Sequence, residues 1–330
     1  MNVVYAFLPV IALVLIVSGG VGWLGWQSLF GVILPYAAII IFIIGFVYRI
    51  LKWARAPVPF HIPTVAGQQK SLPWIKNNSI ESPSSIAGVS LRMALEVLFF
   101  RSLFRNEKAE LKDSKKLSFK GNRLLWLGGL VFHWSLFIII FRHLRLFTEP
   151  VPSIVIFIRE VDGIFQQPLP ILYITDITIL IALTYLFIRR VVYPQIRYIS
   201  LPSDYLAVLL LLGIIVQGCL MRLFYKVDVV AIKELAMGVL TFNPTVPEGI
   251  DLAFYIHLFL ICVLVAYLPF SKLVHGAGVL LSPTRNLQNN SRRQRHINPW
   301  DYPVKVHTYE EWEDEFRDKM KKVDLPVEKE

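Results

Sequence analysis

Six long apolar stretches constrain this chain more than any other feature. They run over about 3–19, 28–48, 124–144, 171–188, 205–222 and 252–270. Each comes near the roughly 20 residues that a helix needs to cross the hydrocarbon core of a bilayer. A soluble domain could not cover so much apolar surface, with 55% of residues hydrophobic and only 18% charged. The expected fold class is therefore an all-α integral membrane protein with six transmembrane helices. The first stretch has no basic residue ahead of it and no small-residue cleavage site, and a second follows directly, so it reads as a retained helix.

Charge sets the orientation. The chain carries 34 Lys and Arg against 24 Asp and Glu, a net charge of +10. In a soluble protein this would suggest nucleic acid; in a membrane protein it asks which connections hold the charge, and no nucleic-acid partner is expected. Segments 49–123, 189–204 and 271–330 share one side of a six-span bundle and hold 28 of the 34 basic residues. The positive-inside rule makes that side cytoplasmic, with both termini on it, in a prokaryotic cell membrane.

A seventh apolar stretch, Ile86 to Phe104, carries Arg92, Glu96 and Arg101. As a span it would export the basic run Lys108 to Arg123, so it reads as an interfacial helix whose Leu91, Leu95 and Leu98 face lipid. The expected organisation is two N-terminal transmembrane helices over 1–50 and a cytoplasmic loop with the interfacial helix over 51–122. A four-helix core follows over 123–275, then a cytoplasmic tail over 276–330. Neither soluble segment is long enough for a secure core of its own.

The tail is basic at first and then acidic from Glu310. Thr308 with Glu311 matches a capping box, and Trp312, Phe316, Met320 and Val323 follow at helical spacing. An amphipathic helix is expected. It either folds back on its own loops or the lipid surface, or docks into a groove of a cytoplasmic partner.

Two cysteines, Cys219 and Cys262, lie in apolar runs, which excludes a disulfide framework, a zinc ribbon and a self-contained iron–sulfur site. Histidine is the informative residue. His133 and His143 lie in the third stretch, ten residues apart, and His257 and His275 in or just after the sixth, eighteen apart. Ionisable groups within a span are costly and mark function by default. Ten residues separate the first two by about 15 Å along a helix, and eighteen the second two by about 27 Å. Antiparallel packing matches His143 with His257 near the outer face and His133 with His275 near the inner face. A bend at Pro269 is expected to absorb part of the unequal spacing, with His275 at or beyond the helix end.

One imidazole on each side of a flat macrocycle suits a six-coordinate haem iron, and closing both axial positions favours electron transfer. No Cys-x-x-Cys-His occurs, so two non-covalent haem b groups are expected, with axial ligands His143/His257 and His133/His275. Arg142 and Arg145 flank His143 and either hold haem propionates or anchor the helix end at the interface. His61, His296 and His307 read as ordinary loop residues. Haem b carries single electrons, so the natural membrane reactant is a quinone. Asp251 and Tyr255 near the start of the sixth stretch are candidate quinone contacts, as are Glu160 and Asp162; each is otherwise an interfacial residue or a helix cap.

The ten and eighteen spacings, on two spans separated by two others, resemble the membrane di-haem cytochrome b subunit of respiratory nitrate reductase, the gamma subunit family, over roughly residues 120–275. The sequence departs from that family in its added N-terminal span and in Arg142, where the nitrate reductase subunit has glycine. The loop reading ARAPVPFHIPTVAGQQKSLPWIK at 54–76, the length and the acidic-aromatic tail resemble the DsrM family, the cytochrome b subunit of the DsrMKJOP complex. That resemblance implies menaquinone or menaquinol as substrate and a DsrK-like cytoplasmic iron–sulfur partner related to heterodisulfide reductase. It also implies the remaining subunits of a DsrMKJOP-type complex and a link to sulfite and sulfate reduction. The competing readings are a membrane transporter, which would show polar or broken helices at a midplane site, and a cofactor-free membrane anchor.

Overall fold

A computed structural model describes residues 2–56, 67–111, 117–165, 172–282, 284–292, 303 and 306–329. His61 and His296 lie outside these residues. Two helices open the chain, α1 (Asn2–Gly22) and α2 (Leu34–Ala54), the latter entered through a π-helical turn at Leu29–Ile33. The connection that follows holds α3 (Ile86–Phe99), the short α4 (Arg101–Phe104) and an antiparallel hairpin of β1 (Glu107–Leu111) and β2 (Leu117–Gly121). Next come α5 (Arg123–His143), α6 (Ser153–Asp162), a ribbon of β3 (Gly163–Phe165) with β4 (Leu172–Tyr173), α7 (Ile174–Val192) and α8 (Pro194–Ile199). The remainder is α9 (Pro202–Leu220) with a π-helical turn at Met221–Tyr225, α10 (Val229–Leu240), α11 (Leu252–Tyr267), α12 (His275–Leu280) and α13 (Tyr309–Lys322).

Five of these helical segments are long and apolar enough to cross a membrane: Asn2–Gly22, Leu29–Ala54, Arg123–Leu146, Pro202–Tyr225 and Leu252–Phe270. The fourth expected span corresponds to α7, which is 19 residues long but carries Asp176, Arg189 and Arg190 in its terminal turns. The chain is a multi-pass membrane protein. Its outward apolar residues, such as Leu15, Ile44 and Ile181, are more than 60% exposed, a pattern that only lipid would cover.

In the bundle α5 packs on α7, α7 on α9, α9 on α11 and α1, and α11 on α1 and α2. Where helices approach closely the sequence supplies glycine. A Cβ on Gly128 would lie 2.7 Å from the Tyr185 ring and one on Gly45 2.7 Å from that of Phe270, so both contacts require the missing side chain. No extensive packing joins α5 to α11, the two helices that carry histidines.

The two ends of the bundle differ. At the loop end, the Asn2 side chain donates to the Ser200 carbonyl at 2.9 Å and the Tyr267 hydroxyl to that of Ser203 at 3.4 Å. The stretch 86–104 is here no span. Phe100, in the left-handed region at φ 49°, breaks it after 14 residues. The freed carbonyls of Leu98 and Phe99 accept the indole N–H groups of Trp134 and Trp126 on α5, at 3.0 and 2.7 Å. Leu91 and Leu98 are exposed as expected of a lipid-facing stripe, and Leu95 is half-buried.

Arg92 turns the opposite way. Its buried guanidinium donates to the carbonyls of Glu81 at 3.1 Å, Leu287 at 3.3 Å and Thr284 at 3.4 Å, and to that of Arg285. Burial holds this guanidinium below its ordinary pKa. Arg101 pairs with Glu81 at 2.9 Å and Arg285 with Glu96 at 3.3 Å, while the Asn289 N–H reaches the Pro83 carbonyl at 2.7 Å. The loop and the start of the tail are too short for separate cores, and these contacts tie them to each other instead.

Helix α13 begins as the sequence predicts. The Thr308 hydroxyl accepts from the Glu311 N–H at 3.2 Å, and the Glu311 carboxylate from the Thr308 N–H at 3.1 Å. Its burial differs from the expected stripe. Glu313 and Met320 are buried, Phe316 is half-buried, and Trp312 and Val323 are exposed. The reason is a terminal hook: the Glu328 and Lys329 N–H groups donate to the Glu313 carboxylate at 2.8 and 3.0 Å. The hydrogen bond from Glu328, followed by those from Lys329 and Arg317, holds that carboxyl below the ordinary range. Tyr309, Trp312 and Phe316 form a ladder beside these buried residues, with successive centroids 5.8 Å apart.

Candidate functional site

The four histidines fall into two pairs. At the loop end the rings of His133 and His275 lie 5.8 Å apart between centroids, with planes at 87°. The chain reaches this arrangement by breaking α11. Pro269 cannot donate to the helix ladder, the backbone tightens to a 3-10 turn over Leu268–Phe270, and Ser271 is fully extended at ψ 176°. A second 3-10 turn over Lys272–Val274 then carries His275 back toward α5. The mismatch between ten and eighteen residues is absorbed there.

Nδ1 of His133 lies 2.8 Å from the Gly129 carbonyl and Nδ1 of His275 3.1 Å from that of Lys272. Each Nδ1–H is thus held by backbone, which fixes the tautomer and leaves Nε2 as the lone-pair donor, the usual condition of a ligating imidazole. Two imidazoles on one metal ion, at metal–nitrogen distances of about 2 Å, hold their centroids roughly 6 Å apart. The pair therefore fits a shared iron in donor type and separation. Aromatic rings flank its His133 side, with Phe100 and Phe132 each 4.9 Å from His133 and Phe137 6.5 Å away, while His275 is exposed.

At the far end are His143, the last residue of α5, and His257, on α11. Nδ1 of His143 is 2.7 Å from the Ile139 carbonyl, again leaving Nε2 free. His257 is buried, and its Nδ1 has no hydrogen-bond partner among the described residues. Its ring lies against Gly218 of α9, where an added Cβ would come within 3.3 Å of Cε1. The missing side chain of Gly218 thus leaves room for the His257 ring.

Charge collects at this end. Arg142, 7% exposed, donates through Nη2 to Asp176 at 2.8 Å, and its Nε lies 3.2 Å from the Asp162 carboxylate. Arg222 lies 3.7 Å from Asp176. Tyr173 is sandwiched, with the Arg142 guanidinium 3.6 Å from its ring centroid and that of Arg222 4.1 Å away. Asp162 also accepts from the Thr175 N–H and hydroxyl at 3.0 and 2.6 Å. The sequence marks Arg142 and Asp162 singly. It does not mark their union with Asp176, Tyr173 and Arg222; the available signal is opposite charge at matching depth on neighbouring helices.

Two expected contacts are otherwise engaged. Asp251 caps α11, accepting the Ala253 N–H at 2.7 Å. Tyr255, 1% exposed, lies in an apolar cluster with Val17, Phe30, Leu235 and Phe254. Its ring closes on Gly31 of the π-helical turn, so it does not present a donor at the bundle surface. Glu160 is exposed on α6. His307 lies in the tail, 4.0 Å from Glu311.

Residues 91–295 match the nitrate reductase gamma subunit family. The chain belongs to that family. The match is wider than the 120–275 expected from the histidine spacing, because it takes in most of α3 and the start of the tail, the elements joined by Arg92. Within the family, the Hdr-like menaquinol oxidoreductase cytochrome b-like subunit of Archaeoglobus fulgidus is 45% identical over 280 residues, covering 83% of each chain. The protein of the same description from Archaeoglobus profundus is 42% identical over 275 residues, covering 81% of each.

Proposed function

We propose that this protein is the cytochrome b subunit of a menaquinol oxidoreductase complex, passing electrons between the menaquinone pool and an iron–sulfur partner subunit. The observation that carries the reading is the meeting of His133 with His275, residues 142 apart in the chain, through a break in α11. The printed names of the two relatives support the quinone and the complex.

Two haem b groups, when bound, supply one-electron carriage at two depths in the membrane. His133 with His275 would hold one, and His143 with His257 the other. The chain's own residues do the rest. Backbone carbonyls of Gly129, Ile139 and Lys272 orient three of the four imidazoles. Phe100, Phe132 and Phe137 pack around the His133 ring. Helices α1 and α2 seal α11 on its other side.

Six membrane-crossing helices, α7 included, and a cytoplasmic loop end follow from the charge distribution, since 28 of 34 basic residues belong to the loop-end connections. The partner then docks on the surface built by α3 and the tail, with α13 and its aromatic ladder as a docking helix. The partner is an iron–sulfur subunit of the heterodisulfide reductase type, DsrK-like, and further subunits of a DsrMKJOP-type complex complete the assembly. The DsrM resemblance links that complex to sulfite and sulfate reduction. Menaquinol binds at the far end, beside the exposed ring of His143 and away from Asp251 and Tyr255. Purified protein should show reduced b-type absorption bands equivalent to two haems per chain. A colourless preparation from haem-replete cells would contradict the reading.

A further inference from the structure

The two histidines of the loop-end pair are anchored unequally. His133 lies inside α5, and the Gly129 carbonyl of the same helix holds its ring. His275 is exposed and opens a helix of only six residues, after the chain has left α11 through two 3-10 turns. An isolated helix below about 12 residues is marginal, so the place of α12 is set by what flanks it.

The chain beyond α12 is held by α3. The buried Arg92 guanidinium donates to the carbonyls of Thr284 at 3.4 Å, Leu287 at 3.3 Å and Arg285. Arg285 returns to α3, pairing with Glu96 at 3.3 Å. This clamped turn is joined to α12 itself, because the Asn286 side chain donates to the Leu280 carbonyl, the last of α12, at 2.9 Å. Arginine suits a clamp on backbone: its planar fork presents five donors in fixed directions, where lysine offers three from one point.

The other end of α3 grips α5. The carbonyls of Leu98 and Phe99 accept the Trp134 and Trp126 indoles, and the Phe100 ring stands 4.9 Å from His133. Leu103 of α4 then lies against Gly129, where an added Cβ would be 3.4 Å away, and Gly129 supplies the carbonyl that holds the His133 ring. One helix of 14 residues thus touches the supports of both imidazoles.

We infer that Arg92 is a positioning residue for the loop-end haem: by clamping the turn after α12 to α3, it sets where His275 stands opposite His133. The inference rests on the di-haem reading and concerns one haem only, since His143 lies at the opposite end of α5.

The test uses the full-length protein in detergent, as the parent, Arg92→Gln, Arg92→Lys and Glu96→Gln. Haem per chain and its retention on dilution are measured, together with the low-spin EPR spectrum, which reports the mutual orientation of two axial imidazoles. Arg92→Gln should hold the haem that His275→Ala removes about tenfold less tightly, the loss expected when an outer support of a metal ligand goes. In the fraction retained, the EPR signal of that haem should shift, while the other haem stays unchanged in amount and signal. Arg92→Lys should recover part of both effects. Glu96→Gln, which weakens only the return contact from Arg285, should shift the same signal with little loss of haem, and it decides the matter if Arg92→Gln does not accumulate. Variants that keep both haems with unshifted signals would overturn the inference, as would equal loss of both haems, which is general destabilisation. Either of those results, with a di-haem parent, leaves the di-haem reading standing; a parent without haem would sink that reading and this inference together.

Discussion

The two histidine pairs are made by opposite means. The loop-end pair sits among aromatic rings and depends on a broken helix, because His275 reaches His133 only after α11 ends at Tyr267. The far-end pair sits on two intact helices and is bordered by the ionic cluster of Arg142, Asp162, Asp176 and Arg222. One site is shaped by backbone and apolar packing, the other by charge. Two centres of the same ligand type can thereby be given different surroundings within one bundle, and surroundings are the main lever a protein has on a haem with fixed axial ligands.

That contrast can be broken by mutation. Asp176→Asn should destabilise the protein by about 3–5 kcal/mol, because it leaves Arg142 buried with half its counter-charge. Thermal unfolding in detergent reads this, and a loss under about 1 kcal/mol would mean that the cluster behaves as a solvated surface pair. At the loop end, Phe132→Leu should cost only about 1–2 kcal/mol, since it removes a small part of the buried apolar volume and leaves no buried charge unpaired. Gly218→Ala should be smaller again in stability but selective. Its Cβ would press on His257, so the far-end absorption band should shift while the loop-end band stays.

The smallest effect should come from the end of the tail, remote from both pairs. Glu313 has its carboxyl held below the ordinary range by the Glu328 N–H, so its contribution is present above the ordinary carboxylate pKa and is lost as pH falls through the depressed value. The protection of the Glu328 and Lys329 amides against hydrogen exchange, relative to their intrinsic rates at each pH, should fall on acidification through that window, with no change in the haem absorption.

Much of this was legible in the sequence, and what was not has a physical reason. Apolar length placed the membrane helices to within a few residues, because hydrocarbon thickness leaves little freedom. The spacing of His133, His143, His257 and His275 marked two levels, but Pro269 announces a break without its direction, which the extended Ser271 supplies. Arg92 looked like an ordinary polar-face residue of an interfacial helix. Its partners are carbonyls nearly two hundred residues away, which no local pattern encodes. Tyr255 looked interfacial because it opens a span, yet Gly31 of the π-helical turn folds over it. Asp162 comes from an extramembrane connection, so its union with Arg142 across α5 and α6 could not be read from the apolar pattern.

The central proposal is that each pair of haem-ligating histidines joins α5 to the α11 segment across the bundle. Haem content and reduced-minus-oxidised spectra of the four single His→Ala variants test it most directly. His133→Ala and His275→Ala should lose the same haem, and His143→Ala and His257→Ala should both lose the other. Losses that grouped by helix, with His133 and His143 removing one haem and His257 and His275 the other, would contradict the account.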